Sequence, residues 1–190
     1  MQFLIQMLYP FTFILLNQIH MMFRMFYVAV LLFLLSCKST TYFIVRHGEK
    51  EGGGAMSMVS DPPLSAEGEK QALDLRNFLQ QKGVKTIYST NYARTMATAE
   101  PTRQLYGITL KMYDARNNEN LVEELKNISD GNVLVVGHSN TVDDIVNGLT
   151  GRAEMTDLAD NDYGNAFIVK RKGSSYTFER LKVPQTTPRP

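Results

Sequence analysis

Two apolar runs in this chain end in the same way, and the repetition narrows the folds open to it. Phe43-Ile44-Val45 stops at Arg46-His47-Gly48-Glu49, and Val133-Leu134-Val135-Val136 stops at Gly137-His138-Ser139-Asn140. Short β-branched runs read as strands buried on both faces, and open α/β sheets form their sites just past the carboxyl ends of such strands. Of the three histidines in the sequence, His20 lies in an N-terminal segment of different character. Both histidines of the folded part therefore fall at these two strand ends.

The intervening sequence alternates strand and helix signals. A first strand covers Thr41 to Arg46. The stretch Glu49 to Ser60, with Gly52-Gly53-Gly54, reads as a mobile loop and lacks the lysine and helix start of a P-loop. Asp61-Pro62-Pro63-Leu64 is a rigid turn, and Ser65 is a good N-cap for a helix running to about Lys82, with Gly83 as its stop. Val84 to Tyr88 is a strand, and Ser89-Thr90-Asn91 caps a helix that carries Arg94 in its first turns. Pro101 breaks or kinks that helix before it ends at Gly107. A strand from Ile108 to Met112, a helix from Glu119 to Lys126, the Val133 strand and a helix from Asn140 to Leu149 follow. Ala166 to Arg171 and Tyr176 to Leu181 form a hairpin, and the Pro- and Thr-rich end beyond Val183 is expected to be disordered. This alternation predicts an α/β fold, a three-layer α/β/α sandwich with a mostly parallel central sheet.

The 190 residues, 44% hydrophobic and 21% charged, suffice for one domain of ordinary core size. The net charge of +1 comes from interspersed charges, which argues against a nucleic-acid partner. Residues 3–35 are dominated by Phe, Leu, Ile, Met and Val, with Arg24 as a positive n-region and Met25 to Leu35 as an apolar stretch short for a bilayer span. Leu34-Leu35-Ser36-Cys37 resembles the lipobox of a bacterial lipoprotein signal, with Cys37 as the residue to be acylated. Such a signal starts most naturally at Met21, Met22 or Met25, which would make the first twenty residues an upstream start choice. The competing reading is an uncleaved transmembrane anchor. Cys37 is the one cysteine in the sequence, which leaves no internal disulfide and fits an anchoring role. The expected division is a signal segment 1–37, a domain 38–183 and a tail 184–190. The expected location is the bacterial cell envelope, periplasmic or on its outer face.

The predicted sheet brings Arg46, His47, Arg94 and His138 to one end. Two arginines beside two histidines suit a dianion, because the planar guanidinium donates paired hydrogen bonds and keeps its charge at any working pH. A metal site is the competing reading for two histidines, but it needs a third ligand and the arginines repel a cation. No metal or cofactor is called for.

These segments resemble the histidine phosphatase superfamily, the phosphoglycerate-mutase-like enzymes. The resemblance rests on Arg46-His47-Gly48-Glu49, on Asp61-Pro62-Pro63-Leu64-Ser65 through Gly68 and Gln71-Ala72, on Ser89 through Arg94-Thr95 and Thr98-Ala99-Glu100, and on Gly137-His138-Ser139-Asn140. It implies that His47 is a nucleophile forming a phosphohistidine, and that Arg46, Arg94 and His138 hold the phosphoryl oxygens, with a protonated His138 as a third cationic donor. The proton donor to the leaving group is open among Asp114, Glu119 and Glu49. Asp114 is preferred, with a helix-capping role as its alternative. Short segments between motifs leave out the cap insertions of larger members. This favours small phosphoesters or phosphoryl groups carried on a protein over mutase chemistry, while a non-catalytic phosphate-binding lipoprotein stands as a different class of reading.

Overall fold

The computed structural model of the chain describes residues 18–27, 39–52, 61–186 and 188. The chain divides into two units, Met1–Cys37 and Lys38–Pro190. In the first, residues 18–27 are helical; among the described residues no helix is long and apolar enough to cross a membrane. The lipobox segment Leu34 to Cys37 lies outside the described residues, as does residue 53 to residue 60 of the glycine-rich loop.

The second unit is organised by one sheet of six strands, β1 (Ser39–Arg46), β2 (Val84–Thr90), β3 (Leu110–Tyr113), β4 (Asn132–Gly137), β5 (Asn165–Lys172) and β6 (Ser175–Lys182). Their order across the sheet is β3-β2-β4-β1-β5-β6. The first four are mutually parallel, while β5 runs antiparallel to β1 and β6 antiparallel to β5. The helices are α1 (Ala66–Leu79), α2 (Ala93–Tyr106), α3 (Asn118–Asn127) and α4 (Val142–Thr150).

Alternation along each strand sorts the core into two layers. Tyr42, Ile44, Val133, Val135, Phe167 and Val169 pack toward Leu121 and Leu125 of α3 and Ile145 and Leu149 of α4. Phe43, Val45, Leu134, Val136, Ala166 and Ile168 pack toward Leu75 and Leu79 of α1 and Ala99 of α2. The expected sandwich is therefore present, and β1 and β4 read as unbroken apolar runs because helices cover both of their faces. The neighbours β1 and β4 send their following helices to opposite faces. That is the topological switch at which open sheets form ligand sites.

Several expected boundaries move for identifiable reasons. Ser65 does cap α1, its side chain accepting from Gly68 N, but the helix ends at Leu79 rather than near Lys82. β2 runs on to Thr90, so Ser89 and Thr90 are strand residues; the N-cap of α2 is Tyr92, which makes no side-chain capping bond. Asp61 of the preceding loop takes over that role, accepting from Ala93 N at 2.8 Å. Pro101 sits inside α2 without ending it. One lost backbone bond is outweighed by the buried face of Thr95, Thr98, Ala99 and Thr102, and the helix stops at Gly107 in the left-handed region. The third strand begins at Leu110 and α4 at Val142. Of the tail expected to be disordered, residues 184–186 are described: they follow the buried Val183, and Thr186 donates its backbone N–H and its hydroxyl to Asp74 Oδ1 at 2.8 and 3.0 Å.

Candidate active site

The parallel pairing of β1 and β4 sets Arg46 opposite Gly137, and His47 N extends it by donating to Gly137 O at 2.9 Å. The two histidines consequently emerge side by side, ring centroids 5.4 Å apart and tilted by 66°. Two close backbone approaches hold the strand ends. A Cβ on Gly48 would lie 2.7 Å from Gly68 O, and one on Gly68 would lie 2.0 Å from Glu49 O, so the turn after β1 lies directly on the first turn of α1. Gly48 N donates to Thr98 Oγ1 at 2.9 Å and Glu49 N to Gln71 Oε1 at 2.9 Å. On the other strand, a Cβ on Gly137 would meet Thr141 Oγ1 and the Tyr113 hydroxyl at 2.7 Å, while Thr141 Oγ1 accepts from His138 N at 2.9 Å.

Each arginine is fixed by a different part of the chain. Arg46 donates through Nη1 to Ala159 O at 2.8 Å and Asp162 O at 3.3 Å, and through Nη2 to the Tyr163 hydroxyl at 3.2 Å. Its Cζ lies 4.0 Å from the centre of the Tyr163 ring. Arg94 pairs with Asp61 through Nη1 at 3.0 Å and lies over the Tyr92 ring at 4.6 Å, while Tyr92 meets His138 edge-on at 5.0 Å. The Nε–H groups of Arg46 and Arg94 are both buried without a partner among the described residues, two donors of the kind that phosphoryl oxygens accept from.

The protonation of His47 follows from its neighbour. Its Nδ1 is 2.7 Å from Gly48 O, and since a carbonyl only accepts, Nδ1 carries the proton and Nε2 keeps a free lone pair. Burial lowers the ring's pKa to about 3, with Arg94, His138 and Arg46 acting in the same direction and the Gly48 bond opposing. His138 is lowered to about 4, chiefly by burial and then by Arg94 and Arg46, with Asp61 opposing. Burial and the two guanidinium groups thus favour the neutral ring of His138.

Arg46, His47, Arg94 and His138 are thus brought together as the sequence suggested. The preference for Asp114 as proton donor is not upheld. Asp114 accepts from Arg116 N, Nε and Nη2 at 3.0 to 3.1 Å, and these bonds lower its pKa, the opposite of what a carboxylic acid donor needs. Glu119 is in the first turn of α3 and lines a groove with Glu123 and Lys126, and Glu49 Oε1 accepts from Ser65 Oγ at 3.1 Å. Among the described residues no group of three or more His, Cys, Asp or Glu is arranged to hold a metal. Sequence reasoning missed Asp61, Tyr92 and Tyr163. Asp61 and Tyr92 stood in the sequence within the matched segments but without a role of their own, and Tyr163 carried no signal beyond its aromatic character.

Residues 42–115 match the family model of the histidine phosphatase superfamily (branch 1). A protein named "Probable phosphoglycerate mutase GpmB" from Escherichia coli O1:K1 is 31% identical over 98 residues, which is 45% of this chain and 46% of that relative. The match therefore spans about half the length of the relative. Among solved structures, phosphoserine phosphatase of Entamoeba histolytica with 3-phosphoglyceric acid superposes with a TM-score of 0.61 at 14% identity, covering 77% of this chain and 98% of that one. The protein histidine phosphatase SixA with tungstate superposes with a TM-score of 0.58 at 20% identity, covering 75% and 96%. The segment 42–115 is thus similar to the histidine phosphatase superfamily, and the solved structures share its fold.

Proposed function

We propose that the Lys38–Pro190 unit is a metal-independent phosphohydrolase that works through a phosphohistidine on His47. The observation that carries the reading is the Nδ1–Gly48 O bond, which leaves the Nε2 lone pair free beside two fixed guanidinium groups. In the first step Nε2 forms a bond to phosphorus as the bond from phosphorus to the leaving oxygen breaks. In the second, water attacks the phosphohistidine, orthophosphate departs and the Nε2 lone pair is restored. Arg46, Arg94 and His138 stabilise the charge that gathers on the phosphoryl oxygens. A good leaving group departs as its anion and needs no acid, so aryl phosphates are the natural probes. Small phosphoesters and phosphohistidine carried on a protein are the substrate classes that a site without long insertions favours.

Two other readings remain distinct. The named mutase relative supports phosphoglycerate-type transfer, which would show as interconversion of phosphoglycerate isomers in place of net phosphate release. A phosphate-binding lipoprotein without turnover has no use for the bare nucleophile. Turnover of an aryl phosphate in EDTA, with inhibition by orthovanadate, is the expected result. Loss of activity on chelation and its return with a divalent metal would overturn the mechanism. The proposal extends to placement outside the cytoplasm through a lipid on Cys37, supported by the sequence Leu34 to Cys37.

A further inference from the structure

His138 ends a chain of hydrogen bonds whose proton directions are fixed. Thr95 Oγ1 lies 3.0 Å from Thr90 O and 2.9 Å from Tyr92 O, and carbonyl oxygens only accept, so the Thr95 hydroxyl proton points to them. Thr90 Oγ1 is 2.9 Å from Thr95 Oγ1 and must then donate to it. His138 Nε2 is 2.9 Å from Thr90 Oγ1 and, with that hydroxyl proton already committed, must be the donor. At the other ring nitrogen, Arg94 Nη2 approaches His138 Nδ1 at 3.4 Å, and a guanidinium has no lone pair to offer. Nδ1 is therefore the bare nitrogen. The reverse arrangement would set an Nδ1–H against the N–H of Arg94. Thr90, Thr95 and His138 are all buried, so water does not compete for these bonds.

His47 and His138 are thus held as opposite tautomers, and for His138 this has a consequence once an anion enters. A lone pair on Nδ1 repels a phosphoryl oxygen, while the hydroxyl relay prevents the ring from moving its proton from Nε2 to Nδ1. We infer that Thr90 and Thr95 are positioning residues that make His138 take up a proton from solvent at Nδ1 when a tetrahedral dianion binds. This rests on the phosphoryl-site reading given above. Nε2–H stays on Thr90, Nδ1 gains a proton, and the long contact from Arg94 Nη2 is released so that its N–H turns to the anion. The groups facing His138 are Arg94 and Tyr92 at the start of α2, Arg46 and His47 at the end of β1, and Asp61 from the loop before α1. Burial, Arg94 and Arg46 hold the ring neutral, with Asp61 opposing, and the two negative charges of a bound dianion reverse that balance.

Sulfate is the probe, because it remains a dianion across neutral pH and its own titration does not intrude. The sequence contains three histidines, so a ¹⁵N spectrum of histidine-labelled protein resolves each ring, and protonated and bare nitrogens differ in shift. The free protein should show His47 bare at Nε2 and His138 bare at Nδ1. Sulfate at pH 7 should convert His138 to the doubly protonated ring, and calorimetry in buffers of different ionisation enthalpy should count an uptake of about one proton. Thr90→Val removes the acceptor, and Thr95→Val frees the Thr90 hydroxyl to donate to Nε2. Either variant should shift free His138 toward the Nδ1–H tautomer and reduce proton uptake on sulfate, whereas Thr90→Ser should retain both properties of the wild type. The Thr95 variant decides the matter if Thr90→Val does not fold. His138 found with its proton on Nδ1 in the free wild type would overturn the relay. Sulfate that binds without proton uptake would overturn the coupling, and failure of sulfate to bind at all would overturn the phosphoryl-site reading beneath it.

Discussion

His47 and His138 share a pocket but have unequal chemistry, because Gly48 O takes the Nδ1 proton of one and Thr90 takes the Nε2 proton of the other. Neutral quenching of an aryl phosphate reaction should therefore trap a label that is stable to alkali and lost in acid, mapped to His47. His47→Ala should abolish label and turnover, while His138→Ala should slow turnover by roughly 10²- to 10³-fold, as for removal of one charge-stabilising donor. Phosphate mapped to His138 or Ser139 would refute the assignment. Both rings also tie stability to pH. Folded His47 holds its proton with a pKa of about 3 against 6.5 as a free side chain, so below about pH 6.5 the unfolded chain binds protons that the fold refuses. Stability is fully present above that pH and lost as pH falls, by about 2 kcal/mol at pH 5 for this ring. Urea midpoints at pH 7 and pH 5 should therefore diverge less in His47→Gln than in the wild type. Arg46, His47 and His138 were legible because each stands beside a strand end or glycine turn, and Arg94 because it lies in the first turn of the helix that follows β2. Asp61, Tyr163 and Thr90 were not, since their partners Ala93, Arg46 and His138 lie far off in sequence.

The elements that carry these residues are positioned by contacts with little sequence signature. Gly48 permits a close backbone approach, and the approaching backbone is that of Gly68 in α1. Gly68→Ala would drive a methyl group to 2.0 Å from Glu49 O, so either α1 or the Arg46–Glu49 turn must move. The expected cost is about 3 kcal/mol of stability, at the upper end of overpacking effects, with a larger loss of turnover than of folded protein. Thermal melts and aryl phosphate kinetics on the same sample would separate the two, and a variant with unchanged kcat would refute the coupling of α1 to the site. Strands β1 and β4 were readable because burial on both faces leaves a continuous apolar run. The limits of α2 were not, because Asp61 supplies its amino-terminal acceptor from another loop and packing carries the helix through Pro101. Local propensity has no access to either fact.

At the scale of the whole molecule, the two ends of the chain make separate demands on the domain. The carboxyl-terminal segment docks on α1, where Thr186 supplies two hydrogen bonds to the buried Asp74 and accepts one from Asn77 Nδ2 at 2.7 Å. Composition predicted disorder there because Pro and Thr carry no apolar signal, and the docking depends on one buried carboxylate that alternation cannot reveal. Thr186→Ala should cost about 1 kcal/mol, the net worth of a side-chain hydrogen bond, while leaving turnover unchanged. A shift in KM instead would show that the tail acts on the site. At the amino end, Cys37 precedes the first residue of β1 by only two positions. A lipid on Cys37 would therefore tether the amino end of β1, whereas the Arg46–His47 cluster lies past its carboxyl end. Metabolic labelling with a fatty acid should tag the wild type and not Cys37→Ala, and the variant should leave the membrane fraction while hydrolysing an aryl phosphate at the wild-type rate. Labelling that persists in Cys37→Ala would end the lipoprotein reading. Membrane retention without any label would favour an uncleaved apolar anchor formed by the segment before Cys37.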